Sequence, residues 1–267
     1  MPKAHFHVVK GAFVLFQTST WVSAKEDLLE LLSPTRCAGC ERPGDLICER
    51  CLGALDLIDP VHSCLACGAP HGDLLCTECS RDFLHRDPTA AQEPPSLDRC
   101  LAMAGFSDPL PRIIRAYKDA GERRMAPVLA ELLADTALHA EVESPDRYGG
   151  IAARADAIAF VPATAAAYRR RGFDHMEAIA RPLSGFLDIP LLDALVKHGT
   201  SDQRELDREA RRERSRGAYE VVEDVCGLRV LLVDDVITTG ATVRAAASAL
   251  KAAGACTVDA LALARVW

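Results

Sequence analysis

Residues 230–242, Val-Leu-Leu-Val-Asp-Asp-Val-Ile-Thr-Thr-Gly-Ala-Thr, constrain the fold more than any other stretch of the chain. The run is apolar without alternation, which predicts a buried strand. It delivers two adjacent carboxylates, Asp234 and Asp235, and five small or hydroxylated residues follow, Thr238, Thr239, Gly240, Ala241 and Thr242. An alanine-rich segment, Val243 to Ala253, closes at Gly254 and predicts a helix. Strand, short loop and helix in this order specify an α/β unit with acid at the strand end and free backbone amides at the helix start.

Those two features select a ligand. The first amides of a helix have no intrahelical partner and sit at the positive end of its dipole, so they bind phosphate. Small residues let a phosphate approach. Ionised carboxylates only accept hydrogen bonds, which makes them good partners for ribose hydroxyls, or for Mg²⁺ through water. The expected ligand is therefore a ribose 5-phosphate, with its hydroxyls toward Asp234 and Asp235 and its phosphate in residues 238–242. A P-loop would need Gly-x4-Gly-Lys-Ser/Thr, which the chain lacks, and a dinucleotide fingerprint needs three glycines where this motif has one.

Val230–Thr242 resembles the thirteen-residue phosphoribosyl pyrophosphate (PRPP) motif of type I phosphoribosyltransferases. The resemblance implies an α/β fold with a doubly wound parallel sheet. It implies that Asp234 and Asp235 hold the ribose 2′- and 3′-hydroxyls while Thr238–Thr242 wrap the 5′-phosphate, and Val233 joins the same binding segment. Some proteins of this type use the fold only to sense a ligand, so catalyst and sensor both stay open.

Eight of the eleven cysteines form four Cys-x-x-Cys pairs, Cys37/Cys40, Cys48/Cys51, Cys64/Cys67 and Cys76/Cys79. Each pair aims two thiolates at one point, and two pairs complete a tetrahedral zinc site, so the spacing predicts two structural zinc ions. Consecutive pairs are expected to share a metal, because Leu52–Ser63 separates the 37–51 and 64–79 groups; alternate pairs could instead cross-brace. Disulfides would need an oxidising compartment, and a cytoplasmic protein is expected. Cys100, Cys226 and Cys256 are isolated and are expected to be packing residues.

A length of 267 residues suits one large α/β domain plus a small module. The expected organisation is a poorly ordered extension over 1–24, a double zinc ribbon over 25–80, a proline-containing linker over 81–98 and a phosphoribosyltransferase-like domain over 99–267. Val8–Phe16 is far too short to span a bilayer, and no other stretch could. A net charge of −7 argues against non-specific nucleic-acid binding by the whole surface, and 5% aromatic residues leave few stacking platforms.

Between the cysteines and the opening motif, Leu101–Phe106 and Asp156–Val161 read as strands and Arg123–Ala140 as a helix. Ala163–Ala167, with Thr164, follow the second strand as a loop of small residues, and Tyr168-Arg169-Arg170-Arg171 adds positive charge beside it. In doubly wound sheets ligands collect at the carboxyl ends of strands, so this loop is expected on the pyrophosphate side. Thr200–Arg216 interleaves arginines and acids between two core strands, and residues 199–217 are expected to form a mobile loop over the ligand.

Arg171-Gly-Phe-Asp-His175, preceded by Val-Pro, resembles a signature of the ComF (competence protein F) family, with Asp174 and His175 where the family usually has Asn and Gln. Asp27–Cys37, the Cys37–Cys79 ribbon, Tyr117-Lys118 with Gly121, and Gln203, Leu206, Arg211 and Gly217-Ala218-Tyr219 resemble further parts of that family, and Arg214 stands where Asn is common. The resemblance implies a PRPP-binding protein in which Asp234, Asp235 and Arg171 serve catalysis. Ala163, Thr164, Lys118 and Arg211 would join the PRPP contacts, and Mg²⁺ would enter with PRPP. Two functions follow: Mg²⁺-dependent transfer of ribose 5-phosphate to a nitrogen acceptor, or a non-catalytic adaptor in DNA uptake with single-stranded DNA or competence-machinery proteins as partners.

Overall fold

A computed structural model describes residues 34–72, 74–84, 96–198 and 218–267. The expected extension 1–24, the ComF-like start before Pro34, most of the linker and the 199–217 segment with Gln203, Leu206, Arg211 and Arg214 lie outside the described residues. Eight helices and six strands are described, beginning with α1 (Glu49–Leu52), a 3-10 turn at Pro60–His62 and α2 (Thr77–Leu84) in the cysteine-rich part. Then come β1 (Arg99–Gly105), α3 (Leu110–Lys118), α4 (Met125–Glu143), α5 (Pro145–Tyr148) and β2 (Ala157–Phe160). They are followed by α6 (Ala165–Arg171), α7 (His175–Leu187), β3 (Leu195–Lys197), β4 (Tyr219–Val221), β5 (Arg229–Ile237), α8 (Ala241–Ala252) and β6 (Thr257–Arg265).

The main sheet has the order β1-β6-β5-β2, and every neighbouring pair is parallel. β5 sits inside it, which explains the unbroken apolar run: both of its faces are covered. Alternate residues supply two cores. Leu231, Val233, Leu261 and Leu263 face α4 and α7, whereas Val230, Leu232, Ala260 and Ala262 face α8 and the β3–β4 hairpin. Helices on both faces of a parallel sheet make the fold doubly wound.

The cysteine-rich module covers the outer edge of β1. Ile58 N donates to Met103 O at 2.9 Å, Gly105 N to Asp56 O at 2.8 Å and Cys100 N to Leu65 O at 2.8 Å. A bare edge strand would offer those backbone groups to another chain. Ser63 and Tyr148 share a 2.7 Å hydrogen bond, and the Tyr148 hydroxyl donates to Cys100 O, so α5 is pinned to both parts.

Several sequence-based bounds change. α2 runs through Leu84 and Leu97 is buried, so the expected linker is entered later and left earlier than 81–98. Ala165–Ala167 are helical rather than loop: alanine has the highest helix propensity, and Thr164 caps the helix by accepting from Ala167 N. Of the isolated cysteines only Cys100 is buried packing; Cys226 and Cys256 are exposed. Among the described residues no helix is long and apolar enough to cross a membrane.

Candidate functional site

The two acids of the opening motif are not equivalent. Side chains alternate along a strand, so Asp234 continues the face of Val230 and Leu232, and Asp235 that of Leu231 and Val233. β2 pairs with β5 only as far as Phe160–Val233, which leaves both carboxylates just beyond the end of β2.

Asp235 gathers two side-chain partners. Its Oδ2 is paired with Lys118 Nζ at the end of α3 and lies 3.2 Å from His175 Nε2 at the start of α7, while Oδ1 accepts from Val236 N at 2.8 Å. Burial alone would raise its pKa, but the hydrogen bond from His175 and the charge of Lys118 hold it well below the usual carboxylate range. Asp234 moves the other way. Burial, reinforced by the neighbouring Asp235 charge, pushes it up toward neutrality. One site therefore offers a firm anion beside a carboxyl able to keep its proton, a split that buried neighbouring acids produce.

Arg171, at the end of α6, reaches His175 Nδ1 at 3.4 Å and Asp119 at 3.3 Å, and its buried Nε has no hydrogen bond among the described residues. Arg169 and Arg170 point to solvent. Asp174 fastens the strand end to α7. Its Oδ1 caps the helix by accepting from Met176 N and Glu177 N, and its Oδ2 accepts from Ala163 N at 2.6 Å. Sequence reasoning gave Asp174 no role, although Asp174-His-Met-Glu177 has the spacing of a capping box. Tyr117 OH donates to His175 O at 2.5 Å, which fixes the turn that presents the imidazole.

The loop 238–242 has the form a phosphate needs. Thr238, Thr239 and Gly240 amides carry no hydrogen bond to the described residues. Gly240 has φ +73° and forms the N-cap of α8. The carbonyl of Thr239 accepts from Arg244, and those of Ile237 and Thr238 from Arg265. A trans peptide points its C=O and the following N–H in opposite directions, so the Ile237 and Thr238 carbonyls that share Arg265 Nη1 turn the amides of Thr238 and Thr239 away from it.

Asp234, Asp235, Lys118, His175, Arg171, Ala163 and Thr164 are thus gathered around the carboxyl ends of β2 and β5, with 238–242 beside them. Val233 is different. Its side chain is fully buried in the core and its carbonyl accepts from Val161 N at 2.9 Å, so its side chain forms part of the wall behind the two acids.

The cysteines form two closed groups, Cys37/Cys40/Cys48/Cys51 and Cys64/Cys67/Cys76/Cys79, each with its four sulfurs within 4.8 Å of one another. Consecutive pairs share a site, as the sequence spacing suggests. Cys40 and Cys48 sulfurs are 3.6 Å apart, and those of Cys67 and Cys76 3.7 Å. Tetrahedral zinc at about 2.3 Å from each sulfur spaces its ligands by roughly 3.8 Å, so both groups fit the metal. A side chain at Gly39 would put its Cβ 2.7 Å from Cys51 Sγ, which leaves only glycine at that knuckle. Both groups can hold zinc, and four thiolates leave no open coordination position.

Residues 167–266 match a family model described as a phosphoribosyl transferase domain. A DNA utilization protein YhgH of Salmonella typhimurium is 29% identical over 247 residues, covering 88% of this chain and 99% of that protein. Its namesake in Escherichia coli is 30% identical over 210 residues, with 76% and 83% covered. Competence protein F of Haemophilus influenzae is 28% identical over 185 residues, with 65% and 76% covered.

Proposed function

The chain belongs to the ComF family of competence and DNA utilization proteins, built on a phosphoribosyltransferase-like domain, and from that premise we propose that it binds PRPP and transfers ribose 5-phosphate to a nitrogen acceptor. The observation that carries the reading is the juxtaposition of three unpaired amides at 238–240 with the split carboxylates Asp234 and Asp235. The amides, with the hydroxyls of Thr238, Thr239 and Thr242, take the 5′-phosphate. Asp235 accepts from a ribose hydroxyl in exchange for part of its bond to Lys118. Asp234, when protonated, can donate as well as accept. The loop at Ala163 and Thr164, with Lys118 and Arg171 nearby, faces the pyrophosphate.

In the transfer, the bond from ribose C1 to pyrophosphate breaks and its electron pair leaves with the pyrophosphate oxygen. The acceptor nitrogen forms the new bond to C1 and releases its proton. Catalysis on this reading comes from positioning and from cations aimed at the departing charge. Mg²⁺ would neutralise pyrophosphate when bound. A magnesium ion usually takes one or two carboxylates plus substrate phosphates, and Asp234 and Asp235 are the acids of this site that would hold it. The two zinc ions stabilise the ribbon, and eight thiolate ligands suit a reducing cytoplasm. On this reading the ribbon of 25–80 and the domain of 99–267 are two segments of the sequence that pack against each other along the β1 edge.

The test compares Mg²⁺-dependent PRPP binding and pyrophosphate release in wild type and the Asp234→Ala/Asp235→Ala variant. Binding is expected in wild type only, with pyrophosphate release when the right base or ammonia is supplied. Absence of PRPP binding in wild type would end this reading. A second reading is favoured by the names of the relatives, DNA utilization protein and competence protein F: a PRPP-sensing adaptor in DNA uptake that meets single-stranded DNA or competence-machinery proteins. PRPP binding without turnover across an acceptor panel would select it.

A further inference from the structure

Arg265 ends β6 and is 5% exposed. Its Nε donates to Cys67 O at 2.8 Å, and its Nη1 to Thr238 O at 2.5 Å and Ile237 O at 3.4 Å. These three hydrogen bonds go to carbonyls, the guanidinium also reaches the Cys67 side chain, and among the described residues no carboxylate pairs with it. A buried guanidinium without an anion is costly, because carbonyl dipoles replace only part of its hydration. Tying two loops together would not by itself require a charge.

The missing anion lies next door. Cys67 is one of the four sulfurs of the Cys64–Cys79 group, and four thiolates around a divalent zinc leave a net charge of minus two. Groups that neutralise and hydrogen-bond such a centre tune how tightly it keeps its metal. The opposite side of the guanidinium holds the carbonyls of Ile237 and Thr238, whose placement turns the amides of Thr238 and Thr239 toward the loop's open side.

We propose that Arg265 is a positioning residue that couples metal occupancy of the Cys64–Cys79 centre to the geometry of the 238–242 loop. The negative metal centre holds the guanidinium in place, and the guanidinium holds the loop's carbonyls back so that its amides converge. Among the described residues Arg265 makes no hydrogen bond to the Cys37–Cys51 centre. The functional weight of the coupling rests on the reading that this loop takes a phosphate.

The experiment uses the full zinc-loaded chain as wild type, Arg265→Gln, Arg265→Lys, Cys79→Ser and the Arg265→Gln/Cys79→Ser double variant. Three readouts are taken: deuterium uptake of peptides spanning 236–246, transfer of each zinc to a competing chelator, and ribose 5-phosphate affinity by calorimetry. Arg265→Gln is expected to raise uptake over 236–246, to speed release of one zinc of the two by about tenfold and to weaken ribose 5-phosphate by about tenfold. Arg265→Lys, which keeps the charge but not the fork, falls between. Cys79→Ser raises the same uptake, and adds little to it when Arg265 is already Gln.

Independent, additive effects of the two substitutions, or unchanged uptake over 236–246 in Cys79→Ser, would overturn the coupling. If a substituted chain fails to fold, partial chelation and zinc restoration on wild type give the same uptake comparison. Failure of wild type to bind ribose 5-phosphate sinks the phosphate reading instead, and uptake still decides whether metal and loop communicate.

Discussion

The two ends of the main sheet use the same kinds of charged residue to opposite ends. At the amino ends of the strands three acids each have a base. Arg99 grips Asp259 with two hydrogen bonds, Arg229 does the same to Asp156, and Lys251 pairs with Asp98 at 2.7 Å. At the carboxyl ends two acids are adjacent, Lys118 and His175 share one of them, and the buried Arg171 Nε and Tyr219 hydroxyl have no partner among the described residues. Charges arranged only for stability would be matched, as they are at the amino ends. The unmatched end is where the proposed ligand would sit.

The comparison breaks first at Asp235. Asp235→Ala leaves Lys118, His175 and Arg171 facing one another without their anion, and it deletes an acceptor that is ionised and already oriented. PRPP affinity by calorimetry should fall about a hundredfold, since hydrogen bonds to charged groups contribute about 1.5–3 kcal/mol. At the other end, Asp259→Asn breaks a bidentate pair whose acid is 7% exposed. Removing one partner of such a pair should cost about 2 kcal/mol of unfolding free energy in denaturant titration, and PRPP affinity should stay within about twofold. A loss of affinity in Asp259→Asn with no loss of stability would reverse the roles assigned to the two ends.

Much of this contrast is legible in the sequence and some is not. Val230–Ile237 announces a strand buried on both faces, and the four Cys-x-x-Cys pairs announce two four-sulfur sites, because these signals repeat over a few neighbouring residues. The partners of the acids are not announced. Lys118 meets Asp235 across 117 residues and Arg265 meets Cys67 across 198, and no local pattern encodes such pairings. Asp174 lies between these cases: its capping spacing is local, while its grip on Ala163 depends on how the strand end folds back. Nor does a one-dimensional motif say that adjacent acids face opposite sides of a sheet; that needs the strand to continue to Ile237 rather than stop at the carboxylates.

Titration should sharpen the contrast with a smaller effect. Asp234 is raised in the folded chain by burial and by Asp235. Its contribution to stability is therefore complete below the unfolded value of about 4 and is lost as pH rises through its folded value. Asp156 is held low by the Arg229 hydrogen bonds, so its contribution is present above about 4 and is lost as pH falls through its folded value. Between pH values of about 5.5 and 7.5, with zinc present, wild type should lose about 1 kcal/mol relative to Asp234→Asn, measured as the difference in unfolding free energy. A constant difference across that window would show that Asp234 stays ionised and that the two acids are not split.

The smallest effect is expected at Gly240, and it separates loop geometry from charge. At φ +73° an L side chain is strained by about 1 kcal/mol, and a Cβ would lie 2.5 Å from Arg244 Nη1, the side chain whose other nitrogen holds Thr239 O. Gly240→Ala should displace Arg244, free the Thr239 carbonyl and let the Gly240 peptide rotate away from its neighbours. Every charge at the carboxyl end survives that substitution. Ribose 5-phosphate affinity should therefore drop only several-fold, on the order of one neutral hydrogen bond, while the dependence of stability on pH stays as in wild type. If affinity is unchanged although Arg244 has moved, the phosphate is held by the threonine hydroxyls and the cations rather than by the amides, and the unpaired N–H groups lose their place in the argument.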